Sequence, residues 1–183
     1  MEDLSLHILD ISENSIEAGA TEIEIVIEQD TQQNRLLLQI KDNGQGLDQE
    51  TREKVLDPFY TTKTARRVGL GLPLLAQSAQ EAGGNLAIES HAGKGTIVTA
   101  HFVLNHIDRK PLGNIADTLI ALIAARGTTI DILYRHCRDG HEFSLDTREI
   151  KGELEDVPID NPEVLNFLKD SINIGLKELE QEE

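Results

Sequence analysis

The segment LDISENSIEAGATEIEI, residues 9–25, places Asp10, Glu13, Asn14 and Glu17 inside what the spacing predicts to be a helix. Asp10 and Asn14 stand four apart and share a helix face, with Glu17 on the same stripe. A carboxylate and an amide oxygen so placed suit a hard divalent cation and the phosphates such an ion bridges. The plain alternative is the wet face of an ordinary amphipathic helix.

Three glycine-bearing segments carry the rest of the candidate chemistry. In KDNGQGLD, residues 41–48, Asp42 precedes Gly44 and Gly46 where a strand gives way to a loop. Its carboxylate can accept from an exocyclic amine of the kind adenine offers, and the glycines let the backbone pass close to a flat ring. In VGLGLPLLAQ, residues 68–77, Gly69, Leu70 and Gly71 open a helix. Free N–H groups there, with the positive end of the helix dipole, make an anion site. In HAGKGTIV, residues 91–98, Thr96 opens a strand after Gly93 and Gly95, and its hydroxyl can reach a base edge through water. Taken singly, each has a plain reading: an acidic turn, a helix packed tightly through glycine, a hairpin.

The elements that must position these residues follow from periodicity. Leu4, Ile8, Ile11, Ser15 and Ala18 mark one face of a helix over about 4–18. TEIEIVIEQ alternates strictly and reads as a half-buried strand, with RLLLQIKD as its partner across the TQQN turn. A short polar helix over 49–56, a helix left through Gly83 and Gly84, and the strands NLAIES and TIVTAHFVL complete the unit. The expected class is α+β, a two-layer α/β sandwich with helices on one face of a largely antiparallel sheet. A composition shift over 104–113 predicts a division into residues 1–106 and a small α/β extension, 107–183. That extension reads as a helix (NIADTLIALIAA), a hairpin turning at Asp139 and Gly140, and a last helix capped by Asn161 with Pro162 at its first position.

Asn14, then Asp42–Gly44–Gly46, then DPFYTTK, then Gly69–Gly71, then Gly95–Thr96 together resemble the ATP-binding superfamily of gyrase, heat-shock chaperones, histidine kinases and MutL. The resemblance covers residues 4–104. ENSIEAGATEIEI looks most like MutL, whereas the later segments look like the catalytic ATP-binding domain of a sensor histidine kinase and span more of the pattern. Carried over by residue, it implies ATP and Mg²⁺ as cofactors, with Asn14 as the metal ligand. Asp42 would read the adenine amine, and Gly44 and Gly46 would line the base pocket. Phe59 would anchor a short lid over 62–68 that begins at Thr62, and Gly69, Leu70 and Gly71 would wrap the phosphates. Thr96 completes the expected cofactor-binding set. Lys63, Arg66 and Arg67 are candidates for neutralising the γ-phosphate, against the alternative of solvated lid charges. Arg67 stands where the kinase pattern has a further glycine. Asp10 stands where the gyrase and MutL branch has a water-activating glutamate and the kinases an asparagine. Its roles stay open between hydrolytic base, positioning of an acceptor and help in holding Mg²⁺.

Bulk properties limit the partners. The 183 residues carry 39% hydrophobic and 27% charged side chains, a globular composition. A formal charge of −16 disfavours nucleic acid and anionic membrane surfaces, so a protein partner or phosphoacceptor in trans is expected. Cys137 is the only cysteine, no charged-then-apolar leader opens the chain, and no apolar run spans a bilayer; a cytoplasmic location is expected. With the Asn14 helix at the start of the sequence, an upstream helical hairpin carrying a phosphoacceptor histidine is not expected. His7, on the metal-ligand helix, reads as packed or solvated, and His136, Cys137 and His141 read as surface strand residues in preference to a zinc site. Three functions fit: a kinase acting in trans on histidine or serine, a slow ATPase switch with Asp10 as base, and an ATP-binding regulatory module without turnover whose residues 112–179 dock a partner.

Overall fold

The computed structural model describes residues 2–56 and 71–181. Its first helix, α1 (Leu4–Glu17), is capped by the Asp3 carboxylate accepting from the Leu6 N–H. The next N–H groups that α1 leaves open, those of Leu4 and Ser5, donate to the carbonyls of Pro111 and Leu112, at 2.9 and 2.8 Å. Strands β1 (Glu22–Asp30) and β2 (Arg35–Asp42) pair antiparallel as expected. There follow α2 (Gln49–Lys54), α3 (Gly71–Glu81), β3 (Asn85–Ser90) and β4 (Thr96–Val103). The C-terminal third contributes α4 (Ile115–Arg126), β5 (Asp131–Arg138), β6 (His141–Asp146), α5 (Thr147–Glu153) and α6 (Pro162–Gln181).

All six strands form one sheet in the order β3-β4-β2-β1-β5-β6. Four of the neighbouring pairs are antiparallel and β1·β5 is parallel. The register draws apolar rows across the whole sheet: Ile88, Val98, Ile40, Ile25, Tyr134 and Leu145 stand side by side. Helices α3, α1, α4 and α6 pack in that order along the covered face, and Leu4, Ile8, Leu75, Leu119 and Ile172 from them join the same buried cluster. The architecture is the expected α+β sandwich of helices on a sheet.

The segments 1–106 and 107–183, expected as domain and extension, thus share one sheet and one core. The 104–113 stretch is a connection that folds back onto the start of α1. Single-sequence periodicity cannot show a parallel pairing between strands more than a hundred residues apart. Helix α5 was not expected either. Its signal is present as an N-cap, Asp146 accepting from the Arg148 N–H, with the acidic Glu149 in the first turn. Among the described residues no helix is long and apolar enough to cross a membrane.

Candidate functional site

Asp42 ends β2 between two neighbours, and three donors fix its carboxylate. Ser15 Oγ of α1 donates to Oδ2 at 2.7 Å. The backbone N–H groups of Gly44 and Thr96 donate to Oδ1 at 2.9 and 3.3 Å. Thr96 stands opposite Asp42 in the β2·β4 register, so helix, strand and following loop converge on one acid. Each carboxylate oxygen has two acceptor directions, and Ser15 occupies one of those on Oδ2. Among the described residues no donor fills the second, so the half-buried carboxylate keeps an acceptor direction unused.

The loop after Asp42 is locked from both ends. Asn43 Oδ1 accepts from the N–H groups of Thr21 and Glu22 at 2.9 and 3.0 Å, and Gln45 N–H donates to the Ala18 carbonyl at 2.9 Å. Gly46 has φ +67°, and a Cβ there would fall 2.1 Å from the His91 carbonyl oxygen. The loop therefore lies flat against the β3–β4 turn, where only glycine fits. Ser90 ties the two together: its Oγ accepts from Leu47 N–H at 2.8 Å, donates to the Gly95 carbonyl at 3.0 Å and lies 2.8 Å from Thr96 Oγ1. Asp42, Gly44, Gly46 and Thr96 are thus brought together. Ser15, Asn43 and Ser90, which brace them, were not picked out from the sequence.

On α1 the turn-spaced residues Asp10 and Asn14 touch, Asn14 Nδ2 donating to Asp10 Oδ2 at 3.3 Å. Both are half-buried. Gly71, the first residue of α3, lies directly over this carboxylate, because a Cβ on it would fall 1.7 Å from Asp10 Oδ2. The open N–H groups of the first turn of α3 therefore sit beside the Asp10–Asn14 stripe. The remaining candidates, Phe59, Thr62, Lys63, Arg66, Arg67, Gly69 and Leu70, lie outside the described residues.

The donor set fits the expected cofactors. An amide oxygen and a carboxylate beside an anion-binding helix start suit Mg²⁺, which takes few protein ligands and shares the rest with phosphate and water. A braced carboxylate suits an exocyclic amine. Among the described residues no group of three or more His, Cys, Asp or Glu side chains is placed to hold a metal.

His136 is also not the surface residue expected. It is buried, with Nδ1 3.0 Å from Tyr134 Oη and Nε2 3.0 Å from Gln29 Oε1. The alternation Ile132, Tyr134, His136 was the signal that points it inward. Burial, with Arg138 nearby, lowers its pKa from 6.5 to about 4. His7 is packed and fully buried; burial first, then Lys110, lowers its pKa to about 4 as well. A cavity of about 310 Å³ lined by Glu28, Arg35, Cys137 and Asp139 opens at the other end of the sheet, where Asp30 pairs with Arg35. It is polar, open and remote from Asp42, so the hydrogen-bond geometry and not the cavity locates the site.

A family model described as "Histidine kinase-, DNA gyrase B-, and HSP90-like ATPase" matches residues 2–106. Sporulation kinase C of Bacillus subtilis (strain 168) is 36% identical over 89 residues, 49% of this chain and 21% of that protein. Sensor histidine kinase CitA of Klebsiella pneumoniae is 30% identical over 86 residues, 47% of this chain and 15% of that protein. The chain thus matches about a fifth or less of the length of these relatives. A crystal structure of the N-terminal domain of a DNA repair protein superposes with a TM-score of 0.56 at 17% identity, over 80% of this chain and 53% of that one, a likeness of fold.

Proposed function

Because the chain belongs to the histidine kinase-, DNA gyrase B- and HSP90-like ATPase family, we propose that it binds Mg-ATP and transfers the γ-phosphate to a histidine or serine of a separate protein. The observation that carries the reading is the Asp42 carboxylate, clamped by Ser15, Gly44 and Thr96 with an acceptor direction left for the adenine amine. Asn14 would hold the ion through its amide oxygen. Mg²⁺ supplies charge neutralisation across the phosphate oxygens. The N–H groups at the start of α3 orient the phosphate chain beside Asp10 and Asn14, so catalysis is mainly positioning. A protein partner fits the −16 charge better than nucleic acid does. His7 is not the acceptor in this reading, since it is fully buried within α1.

One observation favours a second reading, slow hydrolysis: a carboxylate, Asp10, occupies the phosphate-side stripe within hydrogen-bond reach of Asn14. The deciding experiment is a Mg²⁺-dependent ATP titration by calorimetry on wild type, Asn14→Ala and Asp42→Asn, with phosphate release followed in parallel. Binding by wild type and its loss in both variants is expected. Release that disappears in Asp10→Asn would favour the switch, whereas a wild type that binds no ATP would overturn the reading.

A further inference from the structure

One buried group near the site has no use in the scheme above. His7 is fully buried, yet neither Nδ1 nor Nε2 has a hydrogen-bond partner among the described residues. Leaving two polar nitrogens of one ring unsatisfied in a core costs stability, and an apolar residue of similar volume would not incur that cost. Such orphans call for an explanation, and their position supplies one. His7 stands three residues before Asp10 and seven before Asn14, so the three lie along one stripe of α1. Gly71 sits over the middle of that stripe. Its backbone is near enough to the imidazole to favour the protonated ring, as an acceptor does, without forming a hydrogen bond. The start of α3 therefore lies beside a stripe of α1 that carries a buried imidazole with neither ring nitrogen in a formed hydrogen bond.

We infer that His7 is a positioning residue of the nucleotide site: with phosphate bound, a ring N–H closes onto the Gly71 backbone and holds the first turn of α3 against Asp10 and Asn14. The inference rests on the nucleotide reading given above. Burial keeps the ring neutral at pH 7, so it retains one N–H to donate and adds no charge beside the Mg²⁺ position. The imidazole acts through the backbone and does not touch the nucleotide.

The test compares wild type, His7→Leu and His7→Gln by Mg-ATP calorimetry and thermal unfolding, with the His7 ring nitrogens followed by NMR in wild type. Expected are a His7→Leu protein at least as thermostable as wild type, an ATP affinity lowered about tenfold, the size of one hydrogen bond, and recovery of most of that loss in His7→Gln. The ring resonances, identified by their absence in His7→Leu, shift when ATP is added. Unchanged affinity in His7→Leu, or ring resonances indifferent to saturating ATP, overturns the inference alone and leaves the site reading standing. A wild type that binds no nucleotide overturns both. If His7→Leu does not fold, His7→Gln and the wild-type resonances decide the matter.

Discussion

Two buried neutral histidines make the fold acid-sensitive in a window that can be worked out in advance. His7 and His136 are each lowered from 6.5 to about 4 by burial. Between those values the unfolded chain binds a proton at each site that the folded chain does not. Stability therefore rises with pH across the window and is lost as pH falls from about 6.5 to about 4, with no further loss from these groups below it. Each histidine contributes a slope of about 1.4 kcal/mol per pH unit, or about 3 kcal/mol over the window. Against a total stability on the order of 10 kcal/mol, two such terms are decisive. His136 adds a structural reason. With Nε2–H donating to the Gln29 amide oxygen, Nδ1 of the neutral ring accepts from the Tyr134 hydroxyl, and a second ring proton forces that hydroxyl to turn and accept instead. Asp48, Asp139 and Asp146, held below the usual carboxylate range by hydrogen bonds from Thr51, Thr31 and Arg148, enter only at the acid end. Urea unfolding at several pH values between 7 and 4 on wild type, His7→Leu and His136→Gln reads the effect directly. Each variant should lose about half of the wild-type pH slope. Equal slopes in all three proteins would refute the assignment of the window to these side chains.

Gly46→Ala should cost at least about 2 kcal/mol, because the φ of +67° and the His91 carbonyl 2.1 Å from the new Cβ leave the loop no low-energy conformation. Gly93→Ala, where nothing lies within 4 Å, should cost only about 1 kcal/mol, and thermal melts of the pair separate close approach from backbone strain. Ser15→Ala removes the 2.7 Å bond to Asp42 and should destabilise by about 1–2 kcal/mol. It should also weaken ATP binding several-fold in calorimetry by releasing the carboxylate; an unchanged affinity would mean that Gly44 and Thr96 suffice to hold it.

What the sequence makes legible and what it hides divide along the range of the interaction. The alternation Ile23, Ile25, Ile27 and the spacing Leu4, Ile8, Ile11 are local, and each produces a buried face in the structure. Asp42, Gly44 and Thr96 are found through their motifs, and the register of β2 on β4 explains why they meet. Ser15 is hidden because it fits the helix's inward face by spacing, so its hydroxyl passes for a small core residue until Asp42 is placed opposite. Ser90 and Asn43 act through loops whose approach no periodicity encodes. His136 is misread because the glycine turn after it suggests surface, whereas Ile132 and Tyr134 already set its direction. The sharing of one sheet by both halves lies beyond local reading altogether.

The parallel pairing of β1 with β5 also sets an order of events in synthesis. Strand β1 emerges at residues 22–30, but the neighbour that closes its second edge is made of residues 131–138. For the hundred or so residues between, a strand carrying Val26 and three core isoleucines has one edge open. Such an edge is a template for stray pairing, and long-range closure of this kind is slow. Every residue assigned to nucleotide chemistry is translated early in that interval, and until residue 112 is made α1 also awaits the Pro111 and Leu112 carbonyls that accept from its first N–H groups. A nascent chain stalled near residue 106 would hold the whole nucleotide motif set yet keep the second edge of β1 open.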